Sequence, residues 1–204
     1  MKVFGIGFQR TGLMSLTNAL NMLGIKTLQF PKELYYDLDH DIIRKFDGFT
    51  DNPLPLIYRE LDKRHSNSKF IHTIRDEDSW LKSVKWLFTT GAVKFNWQNH
   101  KFADEFHTAL YGTTQFDETI FLKKYRAYNQ QVRDYFANRP NDYLLFNIEA
   151  GDGFEKLCPF LGRPIPANTP FPRRNQSEAV LKVRGRKLYC NLKSKIMQFI
   201  STVH

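Results

Sequence analysis

A glycine-bounded segment near the start of the chain could hold an anion. Gly7 and Gly12 have the Gly-x-x-x-x-Gly spacing of a phosphate-binding loop. The apolar residues 3–7 predict a buried strand before it, and the pattern after it predicts a helix. In such a junction glycines let backbone N–H groups face an anion, and the helix dipole attracts negative charge. This pattern therefore favours binding of a phosphate group.

Two familiar nucleotide loops do not fit this segment. Leu13 and Met14 stand where a nucleoside-triphosphate loop has lysine and a Mg²⁺-binding hydroxyl, which argues against an ATPase or kinase of that type. Arg10 occupies the third-glycine position of a dinucleotide fingerprint, where a large side chain would prevent close packing of the helix. A glycine-closed turn that binds no ligand is the alternative that remains open.

Apolar strand patterns and helical patterns alternate along the rest of the chain. The predicted strands are 3–7, 25–30, 48–50, 69–74 and 143–148. The predicted helices are 15–23, 39–46, 56–66, 77–88, 118–138 and 154–161. His72 lies inside a predicted strand, so we expect a buried core histidine rather than a catalytic one. Residues 89–116 are aromatic and polar without clean periodicity, and we interpret them as an insertion.

This alternation predicts an α/β fold with a parallel β-sheet of about four or five strands, flanked by helices, because crossovers between parallel strands place helices on the sheet faces. Residues 1–204 are expected to form a single domain that carries the insertion. Ligands of such sheets bind at the carboxyl ends of the strands. Chemistry should therefore be sought in the segments 7–15, 50–53, 75–83 and 147–153.

The charge balance indicates an anionic partner. The 204 residues include 30 Lys and Arg against 21 Asp and Glu, a formal net charge of +9. Nucleic acid, a membrane surface or a phosphorylated small molecule would each fit. The sequence lacks a helix-turn-helix, RNP or zinc signature, and no window approaches the ~18 apolar residues of a membrane span. Two cysteines form no disulfide framework, so a cytoplasmic setting is expected.

The run Gly-Phe-Gln-Arg-Thr-Gly-Leu-Met-Ser-Leu at 7–16 resembles the 5′-phosphosulfate loop of PAPS-dependent sulfotransferases. Those enzymes have a P-loop nucleotide-kinase-like fold and use 3′-phosphoadenosine 5′-phosphosulfate (PAPS) without a metal. Many members carry threonine where this chain has Leu13-Met14, so backbone N–H groups, Thr11 and Ser15 would have to compensate. The resemblance assigns the following residues of this loop to nucleotide binding: Gly7, Gln9, Arg10, Thr11, Gly12, Leu13, Met14 and Ser15.

A second part of the resemblance concerns Arg75 and Ser83. Sulfotransferases hold the 3′-phosphate of PAPS with an arginine at a strand end and a serine eight residues on, the spacing of this pair. A guanidinium can grip phosphate through two hydrogen bonds, and a hydroxyl adds a donor. The alternative is a salt bridge from Arg75 to Asp76 or Asp78 and a solvated Ser83.

The segment Thr50-Asp51-Asn52-Pro53 lies at another predicted strand end. Cytosolic sulfotransferases have Thr-His-Leu-Pro here, with the histidine as base, and heparan-type members use a carboxylate. The resemblance implies that Asp51 takes the acceptor proton as the S–O bond forms, and that Arg10 stabilises charge on the leaving oxygen. The alternative is that Asp51 is a turn residue or helix cap before Pro53.

Basic residues near the carboxyl end add further candidates. Arg184-Gly185-Arg186 resembles the Lys-Gly-Arg loop with which heparan-type members close over the 3′-phosphate. Arg173 and Arg174 are candidates for the same role, and a solvated basic turn is the alternative. The tail from 178 to 203 is predicted to be helical after Gly185.

The resemblance covers nearly the whole chain outside 89–116. It implies transfer of a sulfonate group from PAPS, leaving PAP, to a hydroxyl or amine of a small-molecule or glycan acceptor, with neither nucleic acid nor membrane as partner. Leu13-Met14 keeps open a catalytically inactive relative that binds PAP. The positive net charge leaves a basic nucleic-acid-binding protein as a less favoured alternative.

Overall fold

Five strands form one sheet in the computed structural model, which describes residues 1–91 and 101–173. The order is β2-β3-β1-β4-β5, and every pairing is parallel, which confirms the predicted α/β fold. The strands are β1 (Val3–Gly5), β2 (Thr27–Gln29), β3 (Gly48–Thr50), β4 (Lys69–Thr73) and β5 (Tyr143–Phe146). The sheet belongs entirely to Met1–Pro172, the first of two units into which the chain divides; the second is Arg173–His204.

Seven α-helices accompany the sheet within the described ranges. They are α1 (Leu13–Met22), α2 (Ile42–Lys45), α3 (Leu54–Arg64), α4 (Glu77–Trp86), α5 (Lys101–Tyr111), α6 (Glu118–Tyr135) and α7 (Phe154–Leu161). A 3₁₀ turn, Lys32–Tyr35, and a π-helical turn, Leu87–Gly91, complete the helical elements. Among the residues described, no helix combines the length and apolarity that crossing a membrane requires.

Local capping signals account for the helices that the sequence predicted best. The Asp76 carboxylate accepts a hydrogen bond from Ser79 N at 3.0 Å and so caps α4. Helix α7 occupies the predicted range and ends at Gly162, whose φ of 61° is the left-handed conformation that glycine adopts easily.

One predicted helix was wrong in its bounds, one helix was not predicted, and the insertion at 89–116 stays a prediction. The helix predicted for 39–46 shrinks to α2, because Asp39 N donates to Asp37 Oδ1 at 2.9 Å and this local turn competes with a helical start. Conversely, α5 lies within 89–116, where no regular element was predicted. Its residues Phe106, Leu110 and Tyr111 are buried in the same hydrophobic cluster as Phe4 and Trp80. Their helical spacing is difficult to recognise in the sequence because further aromatic residues flank them.

The sheet separates two hydrophobic clusters. Val3 and Phe4 are neighbours on β1 but belong to different clusters, since successive strand residues point to opposite faces. Leu16 and Leu20 of α1 pack with Val3, whereas Trp80 of α4 packs on the Phe4 side. Both faces of the sheet are covered, as in a doubly wound α/β protein.

His72 on β4 is the buried core histidine that the sequence predicted. It is 0% exposed, and its ring nitrogens lie 2.8 Å from Tyr143 Oη and 2.9 Å from Asn129 Oδ1. Burial lowers the pKa of His72 to about 3, against a smaller opposing effect of the bond to Asn129. The imidazole is therefore a neutral structural group at neutral pH.

The strand register brings several loops to one edge. Gly5 of β1 is paired with Thr50 of β3 on one side and Ile71 of β4 on the other. Thr73 is in turn paired with Phe146 at the end of β5. The loops after β1, β3, β4 and β5 consequently lie along the carboxyl edge of the sheet, on both sides of β1, where parallel sheets bind ligands.

Candidate active site

Close packing explains both glycines of the first loop. A Cβ on Gly7 would lie 2.0 Å from Thr73 Oγ1 and 2.3 Å from Thr73 O, so no side chain fits there. Gly12 has a φ of 98°, and a Cβ on it would lie 2.8 Å from Ile148 Cδ1. The glycines thus let the loop after β1 pack directly against Thr73 at the end of β4 and against Ile148, two residues beyond β5.

The helix that follows offers backbone donors rather than hydroxyls. Helix α1 begins at Leu13, and Leu16 N donates to Gly12 O at 3.0 Å. The backbone N–H groups of residues 13–15, in the first turn, have no carbonyl partner within the helix. They carry the positive end of the helix dipole. The Leu13 side chain is buried at 3% exposure, so of this residue the backbone N–H is the part suited to an anion.

Thr11 uses its hydroxyl within the fold. Its Oγ1 donates to Phe8 O at 2.6 Å and lies 2.6 Å from Thr73 Oγ1. Its one proton is committed to Phe8, so the hydroxyl has none to give to a nucleotide. Ser15 is also buried, at 4% exposure. The backbone N–H groups of this loop are therefore better suited to bind an anion than the Thr11 hydroxyl is.

Gln9 joins the first loop to its neighbours. Its Nε2 donates to Tyr111 Oη at 3.3 Å, and its Oε1 accepts from Asn52 Nδ2 at 3.1 Å. Its carbonyl oxygen accepts from Trp80 Nε1 at 3.0 Å. His107 Nε2 lies 3.5 Å from the same Oε1, and burial lowers the pKa of His107 to about 4. The Gln9 side chain thus connects the loops after β1 and β3 with α5.

Arg10 stands at the edge of the sheet between opposite charges. Its φ is 73°, its Nε donates to Ser83 Oγ at 2.9 Å, and its Cζ lies 5.4 Å from the centre of the Trp86 ring. Burial lowers the pKa of Arg10, the charge of Arg75 lowers it further, and Asp51 raises it. Two cations that repel each other at this edge favour an anion nearby.

Asp51 lies directly beyond β3, with a φ of 76°. Its Oδ2 accepts from Gln29 Nε2 at 2.9 Å and its Oδ1 accepts from Asn52 N at 2.9 Å. Burial raises the pKa of Asp51, while these two hydrogen bonds and the charge of Arg10 oppose the rise. The bond to Asn52 is that of a turn residue, and the raised pKa is what a general base needs, so both interpretations of Asp51 remain compatible with its surroundings.

Arg75 already holds an anionic group, the carboxylate of Glu149. Arg75 Nη2 donates to Glu149 Oε1 at 2.9 Å and Nε donates to Oε2 at 3.0 Å. Ser79 Oγ accepts from Arg75 Nε at 2.6 Å and lies 2.7 Å from Glu149 Oε1, to which it donates. Arg75 Nη1 reaches Arg10 O at 3.4 Å. Arg75 and Ser79 together form a site with the donors that an anion requires.

The predicted residues meet in pairs different from those expected. Ser83 contacts Arg10, and Ser79 takes the place beside Arg75. Arg75 forms its salt bridge with Glu149 rather than with Asp76 or Asp78. The joint role of Arg75 and Ser83 on a 3′-phosphate remains a prediction.

The carboxyl-terminal candidates are only partly described. Arg173 is an exposed residue at the end of the described range. Arg174, Arg184, Gly185 and Arg186 lie outside the described residues, as does the helix predicted after Gly185.

Sequence reasoning missed three partners at this edge: Glu149, Ser79 and Gln29. Glu149 lies in 147–153, a segment already singled out because it follows a strand, and a carboxylate there was the available signal. Ser79 was hidden by its role in the capping turn of α4. Gln29 ends β2, and only the pairing of Gln29 with Thr50 brings it beside Asp51.

The described residues 1–91 and 101–173 contain no group of three or more His, Cys, Asp or Glu side chains that could hold a metal ion.

Comparison with known proteins adds two findings. The family model described as "Sulfotransferase domain" matches residues 2–180. The chain is also similar to "Ava biosynthesis cluster protein M" of Aspergillus versicolor, with 24% identity over 244 aligned positions that cover 100% of this chain and 92% of that protein.

Proposed function

Because this chain belongs to the sulfotransferase domain family, we propose that it transfers a sulfonate group from PAPS to a hydroxyl or amine of a small-molecule or glycan acceptor. The donor, the acceptor class and the role of each residue are the parts of this proposal that go beyond family membership.

One observation carries the choice of an anionic donor. Arg75 Nη1 donates to Arg10 O at 3.4 Å, and the charge of Arg75 lowers the pKa of Arg10, which lies just before the amino end of α1. Arg75 and Ser79 hold a carboxylate through charge-assisted hydrogen bonds. A bisphosphorylated nucleotide carrying about four negative charges is the kind of ligand that such an edge attracts.

The proposed reaction needs little covalent help from the protein. PAPS supplies an activated sulfonate; a bond from sulfur to the acceptor oxygen or nitrogen forms while the bond to the bridging oxygen of the nucleotide breaks. Positioning and charge stabilisation then carry the rate, as in phosphoryl transfer. Arg10 stabilises the charge that develops on the bridging oxygen, and the N–H groups at 11–15 hold the 5′-phosphate.

Asp51 takes the proton that the acceptor hydroxyl or amine loses as its oxygen or nitrogen forms the bond to sulfur. Burial raises the pKa of its carboxyl, which makes it a stronger base than an exposed aspartate. Gln29 holds Oδ2 and the Asn52 amide holds Oδ1, which orients the carboxylate. The hydrogen bonds from Gln29 and Asn52, and after them the charge of Arg10, oppose this rise in the pKa of Asp51.

The test is a transfer assay with sulfur-labelled PAPS and a panel of phenols, alcohols, amines and sugars, with and without EDTA. Label that moves to an acceptor with release of PAP, at the same rate in EDTA, is the expected result. Nucleotide binding abolished by EDTA and restored by Mg²⁺ would return the chain to the triphosphate-loop class.

A catalytically inactive relative is the second candidate, and the internal commitment of the Thr11 hydroxyl favours it. Tight PAP binding, measured by calorimetry, without transfer to any member of the panel would support that candidate. An oligonucleotide that stabilises the protein against heat more than PAP does would instead support a nucleic-acid-binding protein.

A further inference from the structure

The Glu149 carboxylate occupies the donors that Arg75 offers to a ligand. Two parallel N–H···O bonds join the guanidinium to the two carboxylate oxygens, at 2.9 and 3.0 Å, and Ser79 Oγ lies within 2.9 Å of both. This fork is the arrangement in which arginine also binds phosphate. A phosphate group can engage the same donors only after Glu149 leaves.

Glu149 is able to leave. Its side chain is 45% exposed, and the chain reverses just after it, at Gly151, with a φ of 113°. The turn is held by Asn147, whose Oδ1 accepts from Ala150 N at 3.1 Å, and by Asp152, whose Oδ2 accepts from Asn147 N at 2.7 Å. These bonds fix the backbone without using the Glu149 carboxylate, so the side chain can swing into solvent while the turn stays in place.

The Arg75 guanidinium, by contrast, has partners besides Glu149. Its Nε donates to Ser79 Oγ at 2.6 Å and its Nη1 donates to Arg10 O at 3.4 Å, while Tyr125 Oη holds its backbone N and carbonyl at 2.9 and 2.8 Å. The Arg75 side chain is 28% exposed, less than that of Glu149. When an anion arrives, the carboxylate is therefore the partner that moves.

We propose that Glu149 is an internal competitor for the nucleotide: it neutralises Arg75 between turnovers, yields it to a phosphate group of the incoming nucleotide, and returns to it as PAP departs. The proposal rests on the proposed function for the identity of the nucleotide. The Arg75–Glu149 ion pair is neutral as a whole, so the Arg75 guanidinium offers its positive charge to a ligand only while Glu149 is displaced. Glu149 thus weakens product retention as well as donor binding.

The test compares the parent with Glu149→Gln, which keeps the size of the side chain and removes its charge. PAP affinity by calorimetry should rise about three- to tenfold, since a well-aligned, partly exposed ion pair is worth on the order of 1 kcal/mol. PAP dissociation, followed by stopped flow, should slow by a similar factor. Glu149→Ala removes even the hydrogen bond that a glutamine amide at 149 could still form with Arg75, and it should change both quantities in the same direction as Glu149→Gln. Glu155→Gln makes the same charge change at an exposed position of α7 and should alter neither quantity.

A loss of PAP affinity in Glu149→Gln and Glu149→Ala would overturn the proposal, because Glu149 would then be a support that orients Arg75. Unchanged affinity in both would also overturn it. Inorganic pyrophosphate, titrated in parallel, probes the Arg75 site without assuming PAPS. If the parent does not bind PAP while Glu149→Gln binds pyrophosphate more tightly than the parent does, PAPS is not the donor and the competitor role of Glu149 stands. If neither protein binds either anion, both fail.

Discussion

Arg10 Nε donates a hydrogen bond to Ser83 Oγ at 2.9 Å and so links the loop after β1 to α4 across 73 positions of the sequence. The Trp86 ring lies 5.4 Å from the same guanidinium and limits its movement further. The guanidinium is therefore held at the sheet edge before a ligand arrives, which reduces the ordering cost of binding.

Arg10→Ala should lower kcat by about 10²–10³-fold, because a positioned donor to developing charge acts mainly in the transition state. Arg10→Lys should keep part of the activity, because a positive charge remains at the edge. Steady-state kinetics with an identified acceptor, beside calorimetric PAP binding, measure both effects. Arg126→Lys, an exposed arginine paired with Glu77 on the surface, is the matched control and should behave as the parent. Parental turnover in Arg10→Ala would contradict the assigned role.

Asp51→Asn should reduce transfer by about 10²–10⁴-fold, the usual contribution of a general base, and keep PAP affinity within a few-fold. The amide preserves size and the bond from Asn52 N but cannot accept a proton. Transfer rates and PAP calorimetry on the same preparations separate chemistry from binding. Transfer at the parental rate would make Asp51 a turn residue and move the base elsewhere.

Gln29→Leu tests the tuning of that base. The hydrogen bond from Gln29 lowers the pKa of Asp51 against the opposing effect of burial, so its removal should raise this pKa further. A base acts when deprotonated, so kcat/KM rises as pH rises through its pKa. The acid limb of the pH profile should therefore move to higher pH in Gln29→Leu. A limb that stays in place while activity falls would indicate a merely structural Gln29.

Arg75→Ala should weaken PAP binding at least about tenfold, because a charge-assisted hydrogen bond contributes roughly 1.5–3 kcal/mol. The loss should be smaller than the loss on the Glu149→Gln background, where Arg75 has no internal competitor. Isothermal titration of the single and double variants gives the comparison, and Arg126→Ala is the control. An unchanged dissociation constant in Arg75→Ala would remove Arg75 from the nucleotide site.

His72 should make the fold sensitive to acid. Its pKa is lowered to about 3 in the folded state, so between its ordinary pKa and that value only the unfolded chain binds the proton. The free energy of unfolding should then fall with decreasing pH in this window, by up to about 1.4 kcal/mol per pH unit from this group. Urea unfolding of the parent and His72→Gln at successive pH values measures the difference. Equal slopes would mean that His72 is protonated in the folded state.

Local chemistry in the sequence was enough for most of the architecture. The cap at Asp76 and the stop at Gly162 act within a few residues, and the alternation of strands and helices restricts the sheet to a parallel one. The apolar context of His72 likewise predicted its burial. The predicted helix bounds failed at 39–46, where a side-chain bond competes with the helix, and helix α5 within 89–116 was not predicted.

The partners of the candidate active site were decided only by the tertiary structure. Glu149 reaches Arg75 because β4 and β5 are adjacent, and Gln29 reaches Asp51 because β2 pairs with β3. The family resemblance paired Ser83 with Arg75 on a phosphate, which stays a prediction; without ligand, Ser79 contacts Arg75 and Ser83 contacts Arg10. Strand order sets which charges meet at the edge, and it depends on the packing of both sheet faces together, which no local segment encodes.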